Sequence, residues 1–431
     1  MRKKTLSTLL FTILFVTGVF ARDISGDWQG TLKAGKDLRV IVKISKSQDG
    51  ALSATLYSID QGPDGIPVSA VSLQDSTVKL SVDLIRGSYE GTLSEDGNTI
   101  KGTWKQGGEL PLTFQRATKE NVWKTDSSPH KVQFVVVDKD VKLEVLDWGG
   151  TGRPVVLLAG LGNTAHVFDT FALKLTPSYH VYGITRRGFG ESSVPATGYS
   201  ADRLGDDVIA VIDNLKLSHP VLAGHSIAGE ELSSVGSRFP EKVAGLVYLD
   251  AGYAYAFYDR ERGNLIIDSN DFQKRLQELG PGKAPREQIK ITRELLDSSL
   301  KQIEKDLQEH LKDLETAPAD QPAGQLPAPA MAILEGEQKY TSVLVPVLAI
   351  YALPHSGGPG IKDPALRAAS EARDLANTGQ QAKAFETGVP SARVVRLPNA
   401  THYVFNSNEA DVLREMNNFL SSLHDVAEKG K

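Results

Sequence analysis

Ser226 stands in Val221-Leu222-Ala223-Gly224-His225-Ser226-Ile227-Ala228-Gly229, where an apolar run gives way to a helix-like pattern. A serine at such a junction is a nucleophile when a tight strand-to-helix turn lifts its Oγ off the sheet edge. It is only a helix cap when the hydroxyl merely satisfies backbone N–H groups. Gly224, Ala228 and Gly229 supply the small volumes that the first reading needs. A hydroxyl also needs a base. Of nine histidines, His402 follows the last strand pattern, in Leu397-Pro398-Asn399-Ala400-Thr401-His402, and precedes the terminal helix pattern. Loops that follow the strands of a parallel sheet gather at its carboxyl edge, which makes His402 the leading acceptor of the Ser226 proton. His225, adjacent to the serine in the turn, is set to point away from it. His166, His180, His219, His310 and His424 read as packing or surface residues.

A third group would hold the imidazole in one tautomer and stabilise its charged form. Asp250 ends the strand-like Ala244-Gly245-Leu246-Val247-Tyr248-Leu249 and emerges at the same edge; the alternative is Asp363, downstream of the run that ends near Ala352. Negative charge developing on a tetrahedral intermediate calls for backbone donors. The N–H of Ile227 is one such donor. The loop Leu157-Leu158-Ala159-Gly160-Leu161-Gly162-Asn163 supplies the other, through Leu161 or, second, Gly162. That loop lacks the lysine and hydroxyl of a phosphate-binding loop and the spacing of a dinucleotide fingerprint. No histidine and carboxylate grouping has metal-ligand spacing along the chain, so neither metal nor cofactor is expected.

The elements that must position these groups change character along the chain. From Ile24 to about Arg116, short alternating runs are broken by reversals such as Asp96-Gly97-Asn98 and Gly107-Gly108, which argues an all-β sandwich or open barrel. Within it, Trp28-Gln29-Gly30 is echoed by Tyr89-Glu90-Gly91, an aromatic two positions before a glycine. These aromatics either pack inward or line a ligand surface, and inward packing is the commoner use. Residues 119–131 read as a linker. Beyond them, near-continuous apolar strands alternate with amphipathic helices, the pattern of a mostly parallel α/β sheet covered on both faces. The segment from about 259 to 344 interrupts this alternation with polar amphipathic helices and a proline- and alanine-rich return loop. The organisation expected is therefore a β domain over 22–118, a linker, and an α/β domain over 132–431 carrying a helical insertion.

Residues 1–21 carry a basic start, an apolar stretch and Val19-Phe20-Ala21, the pattern of a cleaved signal peptide. Export to the periplasm or beyond is expected, with no stable membrane insertion after cleavage. Removing Arg2, Lys3 and Lys4 takes the formal charge from −5 to −8, which disfavours nucleic-acid binding. Cysteine is absent, so ordinary cores must stabilise the fold and thiolate chemistry is excluded.

From about Val136 to Leu423 the chain resembles the α/β-hydrolase superfamily, in its cap-bearing branch of esterases, epoxide hydrolases and haloalkane dehalogenases. The resemblance rests on "LLAGLGN", "TRRGFGESS", "GHSIAG", "LVYLDAG" and "NATHYVF" in that order. It implies a Ser226–His402–Asp250 triad, an oxyanion hole at Leu161 and Ile227, and a cap over 259–344. Ser226 occupies the place where epoxide hydrolases and dehalogenases carry aspartate, so acyl transfer to water is the implied reaction. Arg186 and Arg187 follow Thr185 where relatives often have aspartate, which implies altered ion pairing. Tyr253, Tyr255, Phe257 and Tyr258 either line the pocket or pack cap against core. The expected activity is a serine carboxylesterase for small or medium uncharged esters; amide hydrolysis and non-catalytic ligand binding are its rivals.

Overall fold

Alternation of apolar and polar residues between Gly26 and Arg116 builds a nine-stranded antiparallel sheet. Its strands are β1 (Gly26–Ala34), β2 (Lys36–Lys46), β3 (Leu52–Ser58), β4 (Ile66–Pro67), β5 (Ala70–Gln74), β6 (Thr77–Val82), β7 (Gly87–Leu93), β8 (Thr99–Lys105) and β9 (Glu109–Arg116). The computed structural model describes residues 23–423 apart from 35, 48–49, 60–64, 119, 124–128, 281, 317–325 and 357–363. The expected signal segment, His424 and Asp363 lie outside the described residues.

The sheet order β4-β3-β2-β1-β9-β8-β7-β6-β5 curls into a half-barrel. Positive-φ glycines at 97 and 107 make the two expected reversals. Trp28 and Tyr89 are buried in the concave core. The Tyr89 hydroxyl donates to the carbonyls of Ile100 at 3.0 Å and Leu112 at 3.1 Å. Its ring lies over Gly91, where a Cβ would stand 2.6 Å from the tyrosine oxygen. A Cβ on Gly30 would stand 2.4 Å from the Thr113 carbonyl, so Gly30 and Gly91 are both close-approach positions, and Trp28 and Tyr89 pack inward.

The second sheet has eight strands: β10 (Lys131–Asp138), β11 (Val141–Gly149), β12 (Pro154–Leu158), β13 (His180–Ile184), β14 (Val221–His225), β15 (Gly245–Leu249), β16 (Val347–Ala352) and β17 (Ala392–Leu397). Their order is β10-β11-β13-β12-β14-β15-β16-β17, with β11 antiparallel to both of its neighbours and every other pair parallel. Val155 and Leu157 enter the core on one face while Val156 and Leu158 enter the core on the other. This is why the strands read as unbroken apolar runs. Helices α1 (Asp169–Leu175), α2 (Ala201–Asn214) and α3 (Ala228–Arg238) connect the first parallel strands.

Between β15 and β16 the chain forms the cap: α4 (Leu265–Gln277), α5 (Pro285–Glu294), α6 (Leu300–Thr316) and α7 (Ala328–Glu335). The last of these departs from the expected loose return loop. Pro329 falls in its first turn, where proline's missing N–H has no intrahelical partner to lose. Helix α8 (Pro364–Gly388) separates β16 from β17, and α9 (Val404–Ser407) and α10 (Glu409–Ser422) close the fold.

Candidate active site

Strand β14 ends at His225, α3 begins at Ala228, and Ser226 sits between them at φ 55°. A non-glycine residue in the left-handed region costs on the order of 1–3 kcal/mol, so the surrounding structure must hold it there. Two glycines make the room. A Cβ on Gly229 would meet the Ala251 carbonyl at 2.0 Å, and one on Gly160 would lie 3.2 Å from Ser226 Cβ. The Ser226 N–H donates to the Leu249 carbonyl at 3.3 Å. Its hydroxyl interacts with Tyr255.

Asp250 follows β15 at φ 49° and is completely buried. Its N–H donates to the Ile350 carbonyl at 2.7 Å, which pins the backbone to β16. Oδ1 accepts from the Ala352 N–H and the Tyr253 hydroxyl, each at 3.0 Å. Oδ2 lies 2.6 Å from His402 Nδ1 and 2.7 Å from His355 Nε2. Burial alone would push this carboxyl up; the hydrogen bonds and charges of the two imidazoles outweigh it and hold the group at about 2. An ionised partner at Nδ1 assigns the proton there and leaves His402 Nε2 as the acceptor. The His225 ring lies 4.6 Å from the His402 ring, and its Nε2 is 3.0 Å from the His402 carbonyl. Burial and the neighbouring His402 push His225 down to about 3, so it stays neutral and is occupied structurally. Among the described residues Ser226 makes no hydrogen bond to His402; such bonds commonly align only when substrate is present.

Two members of this cluster escaped the sequence reading. His355 follows β16 by three residues, and its Nδ1 is 3.0 Å from both oxygens of Asp374. The His355 N–H also donates to Asp374 at 2.6 Å, and Thr378 Oγ1 donates to the same carboxylate at 2.7 Å. The signal is the run Ala352-Leu353-Pro354-His355, which puts an imidazole at the same carboxyl edge as Asp250. Burial lowers the His355 imidazole, while Asp250 and Asp374 raise it further, to about 9. A raised imidazole stabilises the fold fully below its unfolded value and loses that contribution as pH rises through the folded one. H355Q is therefore expected to lower unfolding free energy by roughly 2 kcal/mol near pH 6. The deficit should fade by pH 10, as read from urea midpoints across that range.

The loop after β12 carries the other expected donor. Among the described residues neither Leu161 nor Ile227 N–H donates to a backbone carbonyl outside regular elements. Asn163 N–H closes the loop on the Gly160 carbonyl at 3.2 Å, and the Tyr403 hydroxyl donates to Asn163 Oδ1 at 3.1 Å. This ties the loop to the histidine segment. One buried guanidinium fixes it to the elbow helix: Arg186 donates to the Ala159 carbonyl at 2.8 Å and to Glu231 at 2.8 and 2.6 Å. Arg187 is paired separately, with Asp207 at 2.6 Å for both contacts. The altered ion pairing expected at this motif thus takes a definite form. Removing one partner strands the other charge, so R186A should cost about 3–5 kcal/mol in chemical denaturation.

Of the four aromatics expected near the pocket, Tyr253 reaches Asp250 and Tyr255 reaches Ser226. Phe257 packs on Phe385 with ring centroids 5.8 Å apart, and Tyr258 donates to Asp268 at 2.8 Å beneath Lys339. These two join cap to core. Ligand-type groupings absent from the linear sequence do arise in space. His130, His166 and Asp169 form one set and Asp250, His355 and His402 another, each with its three ligand atoms within 4.8 Å of one another. The second set is the hydrogen-bonded cluster already described.

Residues 155–415, which contain Ser226, Asp250, His402 and the insertion, match the alpha/beta hydrolase family. The chain belongs to that family. The chain is 28% identical over 101 residues to the 2-(acetamidomethylene)succinate hydrolase of Mesorhizobium japonicum, covering 23% of this chain and 36% of the relative. It is 30% identical over 105 residues to 3-oxoadipate enol-lactonase 2 of Acinetobacter baylyi, covering 24% and 39%. It thus spans under two fifths of the length of these curated relatives. The crystal structure of E-2-(acetamidomethylene)succinate hydrolase aligns over 68% of this chain and 100% of that chain, at 21% identity and a TM-score of 0.39. The architecture is an α/β-hydrolase fold with a helical cap and an additional N-terminal β domain. No helix among the described residues is long and apolar enough to cross a membrane.

Proposed function

We propose that the protein is a serine carboxylesterase of small or medium uncharged esters. One observation carries the reading: a buried, ionised Asp250 bonded at 2.6 Å to His402 Nδ1, beside a serine held at φ 55°. His402 Nε2 takes the Ser226 proton as Oγ attacks the ester carbonyl, and Asp250 stabilises the imidazolium that results. The N–H groups of Leu161 and Ile227 receive the oxyanion. His402 then returns the proton to the departing alcohol, and water releases the acyl group by the same route reversed. These steps need no cofactor. A lactone, the class in the name of 3-oxoadipate enol-lactonase 2, is a cyclic ester, and that relative's likeness to this chain supports the ester reading.

The same groups would serve an amidase if His402 protonates an amine leaving group. Matched ester and amide panels on the wild type and S226A separate the readings. The proposal expects ester turnover that the variant loses, and turnover confined to amides would reject it. Residues 1–21 fit a cleaved leader, and we place the working enzyme in the periplasm or outside the cell, starting at Arg22. Mass measurement of the N-terminus after expression in a Gram-negative host tests that placement; a retained Met1 would contradict it.

A further inference from the structure

A cavity of about 720 Å³ opens between the half-barrel and the carboxyl edge of the hydrolase sheet. On one side it is lined by Leu38, Leu56, Leu84 and Trp104 of the β domain, and on the other by Leu161 and Tyr403. The order of the nine strands leaves β4 and β5 as the two outer edges, so strand pairing does not close the half-barrel. Leu84, in the short 3-10 turn Asp83–Ile85 between β6 and β7, is 39% exposed there.

Two of the lining residues belong to the candidate site. Leu161 directly follows Gly160, which packs against Ser226, and its N–H is a proposed oxyanion donor. Tyr403 is the neighbour of His402 and holds Asn163 of the same loop. An apolar cavity that shares its wall with the reacting groups selects a ligand with its reactive end at Ser226 and its apolar end away from it. We infer that the N-terminal β domain is the binding site for an extended hydrocarbon arm of the ester. This inference rests on the esterase reading and names its substrate class: uncharged esters with one medium-length apolar arm.

Each methylene moved from water into such a wall is worth up to roughly fourfold in binding. The test uses the full chain and two series, para-nitrophenyl alkanoates from acetate to octanoate and alkyl acetates from ethyl to octyl. These decide whether the acyl or the alcohol side enters the cavity. Wild type should favour the octyl-length member of one series over its shortest member by on the order of 100-fold in kcat/KM. L84E, at an exposed position, and A34F, which fills the cavity, should each cut that preference at least tenfold while leaving turnover of the shortest ester unchanged. A preference that survives both variants in both series would overturn the inference, as would variants that alter only self-association. S226A keeps the two readings separable. Loss of short-ester turnover in S226A upholds the serine mechanism whatever the chain-length result. If no ester is turned over, calorimetric titration of S226A with para-nitrophenyl octanoate still decides the cavity: binding weakened at least tenfold by L84E supports it, and absent or unaltered binding rejects it.

Discussion

S226A is expected to lower kcat on the best ester by about 10⁶-fold, with H402A costing nearly as much and the double variant little more. The two groups act as one unit: an alcohol without a base is a poor nucleophile at neutral pH, and a base without the alcohol has only water to activate. Additive losses in the double variant would mean that Ser226 and His402 work separately. A residual rate should persist in all three variants, because the oxyanion donors and the pocket remain. Folding should be spared, since alanine meets the same φ 55° strain as the serine it replaces. Circular dichroism and urea midpoints of S226A should therefore stay close to those of the wild type.

D250N is the second large effect, with kcat falling about 10⁴-fold. The amide that replaces the carboxylate cannot both accept from His402 Nδ1 and balance the imidazolium formed during the reaction. Unlike S226A, this variant should also unfold more easily. Asp250 accepts from Ala352, Tyr253, His355 and His402 while wholly buried. Removing its charge leaves His355 without one of its two carboxylate partners, at a cost of about 3–5 kcal/mol. Because its folded value is depressed to about 2, Asp250 contributes stability above the ordinary carboxylate range and loses it only as pH falls toward that value. The D250N deficit should therefore be flat from pH 5 to 7 and shrink in strong acid. A variant retaining more than a tenth of wild-type kcat would make Asp250 a structural residue only.

The parallel sheet was readable because burial on both faces leaves runs such as Val155–Leu158 and Leu246–Leu249 with no polar interruption. The elbow was readable from Gly224, Ala228 and Gly229, since small side chains there have one clear steric use. Choosing Asp250 needed more. It stands 152 positions from His402, and only the sheet order β15-β16-β17 brings the two loops together. His355 stood at a legible strand end, but its pairing with Asp374 of α8 was not legible, since no local pattern encodes that packing. The first turn of α7 was hidden because Pro327 and Pro329 read as loop punctuation. The role of the half-barrel was the least accessible, since its cavity depends on how two separate sheets meet.

In the proposed mechanism the Ser226 oxygen is the nucleophile, activated through His402. Treating the full chain with a fluorophosphonate and locating the adduct by peptide mass spectrometry tests it most directly. The account predicts a single phosphonyl group on the peptide containing Ser226, formed quickly in wild type, at least 10³-fold more slowly in H402A, and absent from that peptide in S226A. An adduct at another residue, or labelling of wild type and S226A to the same extent, would contradict it.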